Sequence, residues 1–144
     1  MQDTKILFVD DEVDFANNMK KLLENRGHSV TVFHSGDSAI EELKSRAATY
    51  DVMVLDLKMP GMNGMTTLKE MKKLDLSVQT LVLTGHGDIN TALEAMKLGA
   101  YDYLTKPCEI GELEEKLKEL WEKNSGKKNN GKKQSMLGRL LNKK

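Results

Sequence analysis

Short apolar runs alternate with segments of helical periodicity along this chain, and that alternation leaves few folds open to it. Residues 5–9 (KILFV), 52–55 (VMVL), 78–83 (VQTLVL) and 101–104 (YDYL) read as strands, the second of them buried on both faces. Residues 29–33 (SVTVF) mix Val30, Val32 and Phe33 with polar side chains, which predicts a strand at or near a sheet edge. Between the runs, apolar residues recur at helical spacing: Phe15, Met19, Leu22 and Leu23 in 14–26, and Ala39, Ile40, Leu43 and Ala47 after a cap at Ser35 or Asp37. Leu68 and Met71 face inward in 65–73, and Ile89, Ala92, Leu93 and Met96 do so after a cap at Asp88. Leu113, Leu117, Leu120 and Trp121 mark a last helix over about 110–123. Gly27 and Gly99 stand where the first and fourth helices must stop. Five strands alternating with five helices predict an α/β domain whose parallel sheet is covered on both faces by right-handed crossovers. The doubly wound order 2-1-3-4-5 follows, with its switch point between the first and third strands.

The strand ends carry the chemistry. The third run stops at Asp56 and is followed by the turn formers Pro60, Gly61, Asn63 and Gly64, while the first stops at Asp10-Asp11-Glu12. A lone strand-end Asp usually just caps a turn. In the expected order, however, Asp10, Asp11 and Asp56 converge at the switch point, where carboxylates repel unless protonated or neutralised by a cation. An open all-oxygen site of this kind suits Mg²⁺, with Mn²⁺ as a substitute, and a metal lets a carboxylate attack a phosphorylated donor by screening its charge. The fourth strand ends in the hydroxyl of Thr84 and the fifth leads to the ammonium of Lys106.

Composition narrows the partners. With 144 residues the chain makes one domain, and no apolar stretch nears the roughly 20 residues of a membrane span. The acidic N-terminal flank is unlike a signal peptide, and the single Cys108 fits a reducing cytoplasm as a partly buried, inert thiol. The formal net charge of zero hides an asymmetry: eight basic and no acidic residues lie from Lys123 onward, leaving 14 basic and 22 acidic residues in 1–122. The expected division is a folded domain at 1–123 and a basic, flexible tail at 124–144, in which Met136, Leu137, Leu140 and Leu141 could line a short amphipathic helix. His28, His34 and His86 lack ligand spacing and are expected to be solvent-exposed.

The chain resembles the response-regulator receiver domain of two-component signalling over about residues 3–122. The resemblance rests on VDDE at 9–12, LDLKMPGMNG at 55–64, LTG at 83–85 and YLTKP at 103–107. LTGHGD followed by AMKLGAYDYLTKP is most similar to receivers of nitrogen-regulatory, enhancer-binding regulators. The resemblance implies a flavodoxin-like fold and a phosphoacceptor, Asp56, taking a phosphoryl group from a sensor histidine kinase or a phosphotransfer protein. It implies Mg²⁺ on Asp11 directly and on Asp10 mostly through water, with Asp56 and the backbone carbonyl of Lys58 completing the ligands. Lys106 would pair with phosphoryl oxygens, and Lys106-Pro107 would be a cis peptide. Thr84 and Tyr103 would be switch residues that carry the change to a partner-binding face of the fourth helix, fifth strand and fifth helix. Lys58, Gly85 and His86 would flank the phosphoryl group, with Lys58 shielding it from water and prolonging its life.

The expectation is therefore a stand-alone cytoplasmic receiver, not an enzyme beyond its own phosphorylation and dephosphorylation. The alternative is a DNA- or membrane-associated regulator whose basic tail is the output, a weak and salt-sensitive contact given eight charges and no aromatic residues. An aspartyl phosphatase would need a second acid two residues after Asp56, where Lys58 stands. An FMN carrier would need a Ser/Thr/Gly phosphate cradle where Asp10, Asp11 and Glu12 stand.

Overall fold

β3 (Val52–Asp56) is buried along its whole length, since strands pair on both its edges and helices cover both its faces. A computed structural model describes residues 3–58, 63–85 and 88–126, with side chains to residue 123. In it β1 (Lys5–Val9), β2 (Ser29–Phe33), β4 (Gln79–Thr84) and β5 (Asp102–Thr105) join β3 in one parallel sheet of order β2-β1-β3-β4-β5. The helices are α1 (Val13–Glu24), α2 (Gly36–Arg46), α3 (Gly64–Lys73), α4 (Ile89–Lys97) and α5 (Ile110–Gly126). The expected doubly wound architecture is the one observed.

Side-chain alternation divides the core in two. Ile6, Phe8, Val30, Val52, Val54, Leu81 and Leu83 pack under Ala16, Met19 and Leu23 of α1 and Leu113, Leu117 and Leu120 of α5. Leu7, Val9, Met53, Leu55 and Val82 meet α2, α3 and α4 on the other face. The register pairs Val9 with Leu55, and Asp56 with Leu83, so the chain passes Asp10 and Asp56 side by side at the carboxyl end of the sheet.

The helix ends have local causes. After α1, the amide of His28 donates to the carbonyl of Leu23 and that of Gly27 to Glu24, with Gly27 at φ +96°. This double closure needs a left-handed residue, and glycine adopts it freely. The same pair of bonds closes α3, Leu76 to Met71 and Asp75 to Lys72, with Asp75 itself at φ +57°. Ser35 caps α2, accepting from the Ser38 amide at 3.2 Å, which decides between the two expected caps.

Several expectations need correction. α5 runs to Gly126, three residues past its expected limit, and a 3₁₀ turn at Ala47–Thr49 follows α2. Ile89 is 45% exposed, because it opens α4 beside the loop from β4, and the buried face of α4 is Ala92, Ala95 and Met96. Asp88 precedes α4 without a side-chain capping bond, its carboxylate being drawn to Lys58 instead. His28 is buried rather than solvent-exposed, because alternation turns it, like Val30, toward α5, where its Nε2 lies 2.9 Å from Glu114 Oε2. His34 is exposed, as expected, with Nδ1 at 2.9 Å from the Asp10 carbonyl. The expectations for 59–62, His86 and the tail beyond Gly126 lie outside the described residues.

Candidate functional site

Each site residue sits where a strand runs out. Asp10 follows β1, Asp56 ends β3, Thr84 ends β4 and Lys106 follows β5. Alternation decides which of them face each other. Asp56 continues the face of Val52 and Val54, Asp10 that of Ile6 and Phe8, and Lys106 that of Leu104, so these three side chains meet on the α1/α5 side. Lys106 Nζ lies 3.1 Å from Asp10 Oδ2 and 3.7 Å from Asp56 Oδ2, and it also contacts Glu12 Oε1. The Phe15 ring of α1 lies 4.5 Å below the ammonium, a favourable cation–π placement.

Thr84 comes to the same rim but turns the other way. Its hydroxyl is buried and donates to the carbonyls of Gly85 and Asp88, each at 3.3 Å. Tyr103 is half-buried against the α2–α4 side of the core. Lys58 does not lie over Asp56. Its side chain is 73% exposed and Nζ pairs with Asp88 Oδ2 at 3.1 Å, while its amide donates to Asp56 Oδ1 at 3.2 Å. The peptide Lys106-Pro107 is cis, as expected.

The electrostatics are those of a site short of positive charge. Asp56 is 4% exposed, and its carboxyl is pushed up to about 7 by burial and by the repulsion of Asp10, against the pull of the Lys58 amide and Lys106. Burial pulls the Lys106 ammonium down, but Glu12, Asp56 and Asp10 outweigh it and hold the group above its ordinary value. Carboxylate oxygens of Asp10, Asp11 and Asp56 all lie within 4.8 Å of one another. Three hard oxygen donors in that span, one of them pushed toward protonation by burial and by its neighbour, fit a small divalent cation such as Mg²⁺. Cys108 is buried and its thiol pushed up, chiefly by burial, as befits an inert thiol.

Two features escaped sequence reasoning. Gly64 was legible only as a turn former, yet a Cβ there would stand 2.5 Å from the Asp56 carbonyl oxygen and 2.5 Å from Leu57 Cα. The start of α3 must pass against the backbone at the end of β3. Glu12 stood in plain view as the third acid of VDDE, but nothing local showed that it reaches Lys106, 94 residues away.

The family described as "Response regulator receiver domain" matches residues 6–118. The transcriptional regulatory protein ZraR of Escherichia coli O157:H7 is 37% identical over 109 residues, covering 76% of this chain and 24% of ZraR. The DNA-binding transcriptional regulator NtrC of Escherichia coli K12 is 35% identical over 112 residues, covering 78% of this chain and 24% of NtrC. The crystal structure of a response regulator receiver domain protein from Clostridium thermocellum superposes with a TM-score of 0.79 at 35% identity, covering 85% of this chain and 97% of that one. The chain thus spans about a quarter of the length of the two curated relatives.

Proposed function

The chain belongs to the response-regulator receiver family, a phosphoacceptor module of two-component signalling, and on that premise we propose that Asp56 is its acceptor. The observation that carries this is the placement of one buried carboxylate at the end of β3, between the acids Asp10 and Asp11 and the ammonium of Lys106. An Asp56 carboxylate oxygen attacks the phosphorus of a phosphohistidine in a kinase or phosphotransfer protein. The P–O bond forms as the P–N bond breaks, and its electron pair returns to the imidazole. The product is an acyl phosphate on Asp56.

Asp10, Asp11, Asp56 and the Lys58 carbonyl are the groups to hold Mg²⁺, which when bound screens the charge between acceptor and donor. The Lys58 amide orients Asp56 through Oδ1. Lys106 stands close enough to pair with the oxygens of an arriving phosphoryl group. Thr84 must leave the carbonyls of Gly85 and Asp88 to do the same. That movement strips two bonds from the loop before α4, which is how a charge event at Asp56 reaches the α4–β5–α5 face where a downstream protein binds. Its chemistry is limited to its own phosphorylation and dephosphorylation, and it works in the cytoplasm.

The test is incubation with acetyl phosphate and Mg²⁺, followed by intact-mass measurement. One phosphoryl group is expected on the wild type and none on Asp56→Asn; undiminished labelling of the variant refutes the assignment.

A further inference from the structure

Glu12 is the residue before α1, and its side chain makes no capping bond to that helix. Glutamate is a poor N-cap, where Asp, Asn, Ser or Thr would close the first turn. Its carboxylate goes instead to Lys106, and among the groups that raise the Lys106 pKa it is the strongest.

We propose that Glu12 is a positioning residue that holds the Lys106 ammonium in a resting place and so restrains phosphoryl acceptance. The inference rests on Asp56 being the acceptor and deepens that reading.

An ammonium has three protons to give. Here Glu12 and Asp10 take the close contacts, while Asp56 Oδ2, at 3.7 Å, is beyond hydrogen-bond reach. The ammonium is thus seated toward Glu12 and Asp10, and a phosphoryl oxygen at Asp56 that draws it closer pulls it away from those two carboxylates. Asp10 belongs to the trio of acids that can share a cation, and a cation weakens its grip on Lys106. Glu12 lies outside that trio, so its grip persists. Phe15 below the ammonium leaves Lys106 a short swing rather than a long excursion.

Two readings of Glu12 have to be separated: a specific contact, and a negative charge that repels any anionic donor. Glu12→Gln removes the charge and the strong contact together. Glu12→Asp keeps the charge but shortens the reach, and the shorter carboxylate is diverted to cap α1. The experiment follows transfer from acetyl phosphate to the full chain, in which the Asp56 oxygen bonds phosphorus as the bond to acetate breaks and acetate leaves. Initial rates are measured at saturating Mg²⁺, at low and at high salt, for the wild type, both Glu12 variants and Asp56→Asn. The contact reading expects both Glu12 variants to be labelled about fivefold faster, the equivalent of a partly exposed ion pair, with the gain kept at high salt.

A metal-free readout accompanies it. Thermal melting of Glu12→Gln in the wild-type and Lys106→Met backgrounds should give clearly non-additive shifts, since the two side chains touch. Wild-type rates in both Glu12 variants, a gain confined to Glu12→Gln that disappears in salt, or additive melting shifts would each overturn the inference. Labelling that survives Asp56→Asn would instead sink the acceptor reading beneath it, and the two failures are told apart in one data set.

Discussion

Asp56 should destabilise the domain that depends on it, and the cost should follow pH. A carboxyl whose folded pKa rises from 3.8 to about 7 binds its proton more tightly in the fold than in the unfolded chain. Between those values the native state holds more protons than the unfolded state, so this group's contribution falls as pH rises from about 4 to about 7 and stays low above that. At about 1.4 kcal/mol per pH unit the ceiling is about 4 kcal/mol. Asp56→Asn abolishes the titration: its carbonyl can keep the Lys58 amide bond and its NH₂ can donate to Asp10, but the amide must still be desolvated. A net gain of about 2 kcal/mol, or about 8 °C in Tm, is therefore expected at pH 8 without metal. The gap should close toward pH 4. Saturating Mg²⁺ should narrow it at pH 8, because a cation stabilises only the folded wild-type site. Thermal unfolding followed by circular dichroism across pH 4–8, with and without Mg²⁺, is the assay. A variant no more stable than the wild type, or a gap that does not change with pH, would refute the argument that burial and Asp10 repulsion dominate at Asp56.

Asp11→Ala is expected to remove most Mg²⁺ affinity, while Asp10→Ala weakens it less, since Asp10 also serves Lys106 and the Glu12 amide; calorimetry showing equal binding in wild type and Asp11→Ala would place the cation elsewhere. Gly64→Ala drives a Cβ to 2.5 Å from two backbone atoms that cannot rotate aside, so a loss of about 2–3 kcal/mol is expected. An unchanged Tm would mean that the turn before α3 yields freely. Lys58→Asn should shorten the life of the phosphorylated protein about two- to fivefold if Lys58 can leave Asp88 for the phosphoryl oxygens. Decay no faster than wild type at fixed Mg²⁺ and pH would show that it stays with Asp88.

Much of the fold and the gathering of the candidate site residues at one end of the sheet could be read in the linear order of residues. Strand-length apolar runs, helix-period segments between them and punctuation by Gly27 and Gly99 are local properties, and strict alternation admits almost one topology. Once the order is β2-β1-β3-β4-β5, residues at the ends of β1, β3, β4 and β5 must share one edge, so Asp10, Asp56, Thr84 and Lys106 were nameable in advance. What periodicity could not supply was which way each side chain turns at that edge and what it meets there. Thr84 faces Asp88 rather than Asp56 because the register sets Leu83, not Thr84, opposite Asp56. His28 is buried because Glu114, on the last helix, lies within reach of its ring. Lys58 leans on Asp88, and Lys106 on Glu12, because opposite charges on separate loops come together only when the sheet has formed. The His28, Lys58 and Lys106 contacts join residues from 30 to 94 positions apart. Their distances depend on strand register and helix rotation, which belong to the assembled core and not to any window of sequence.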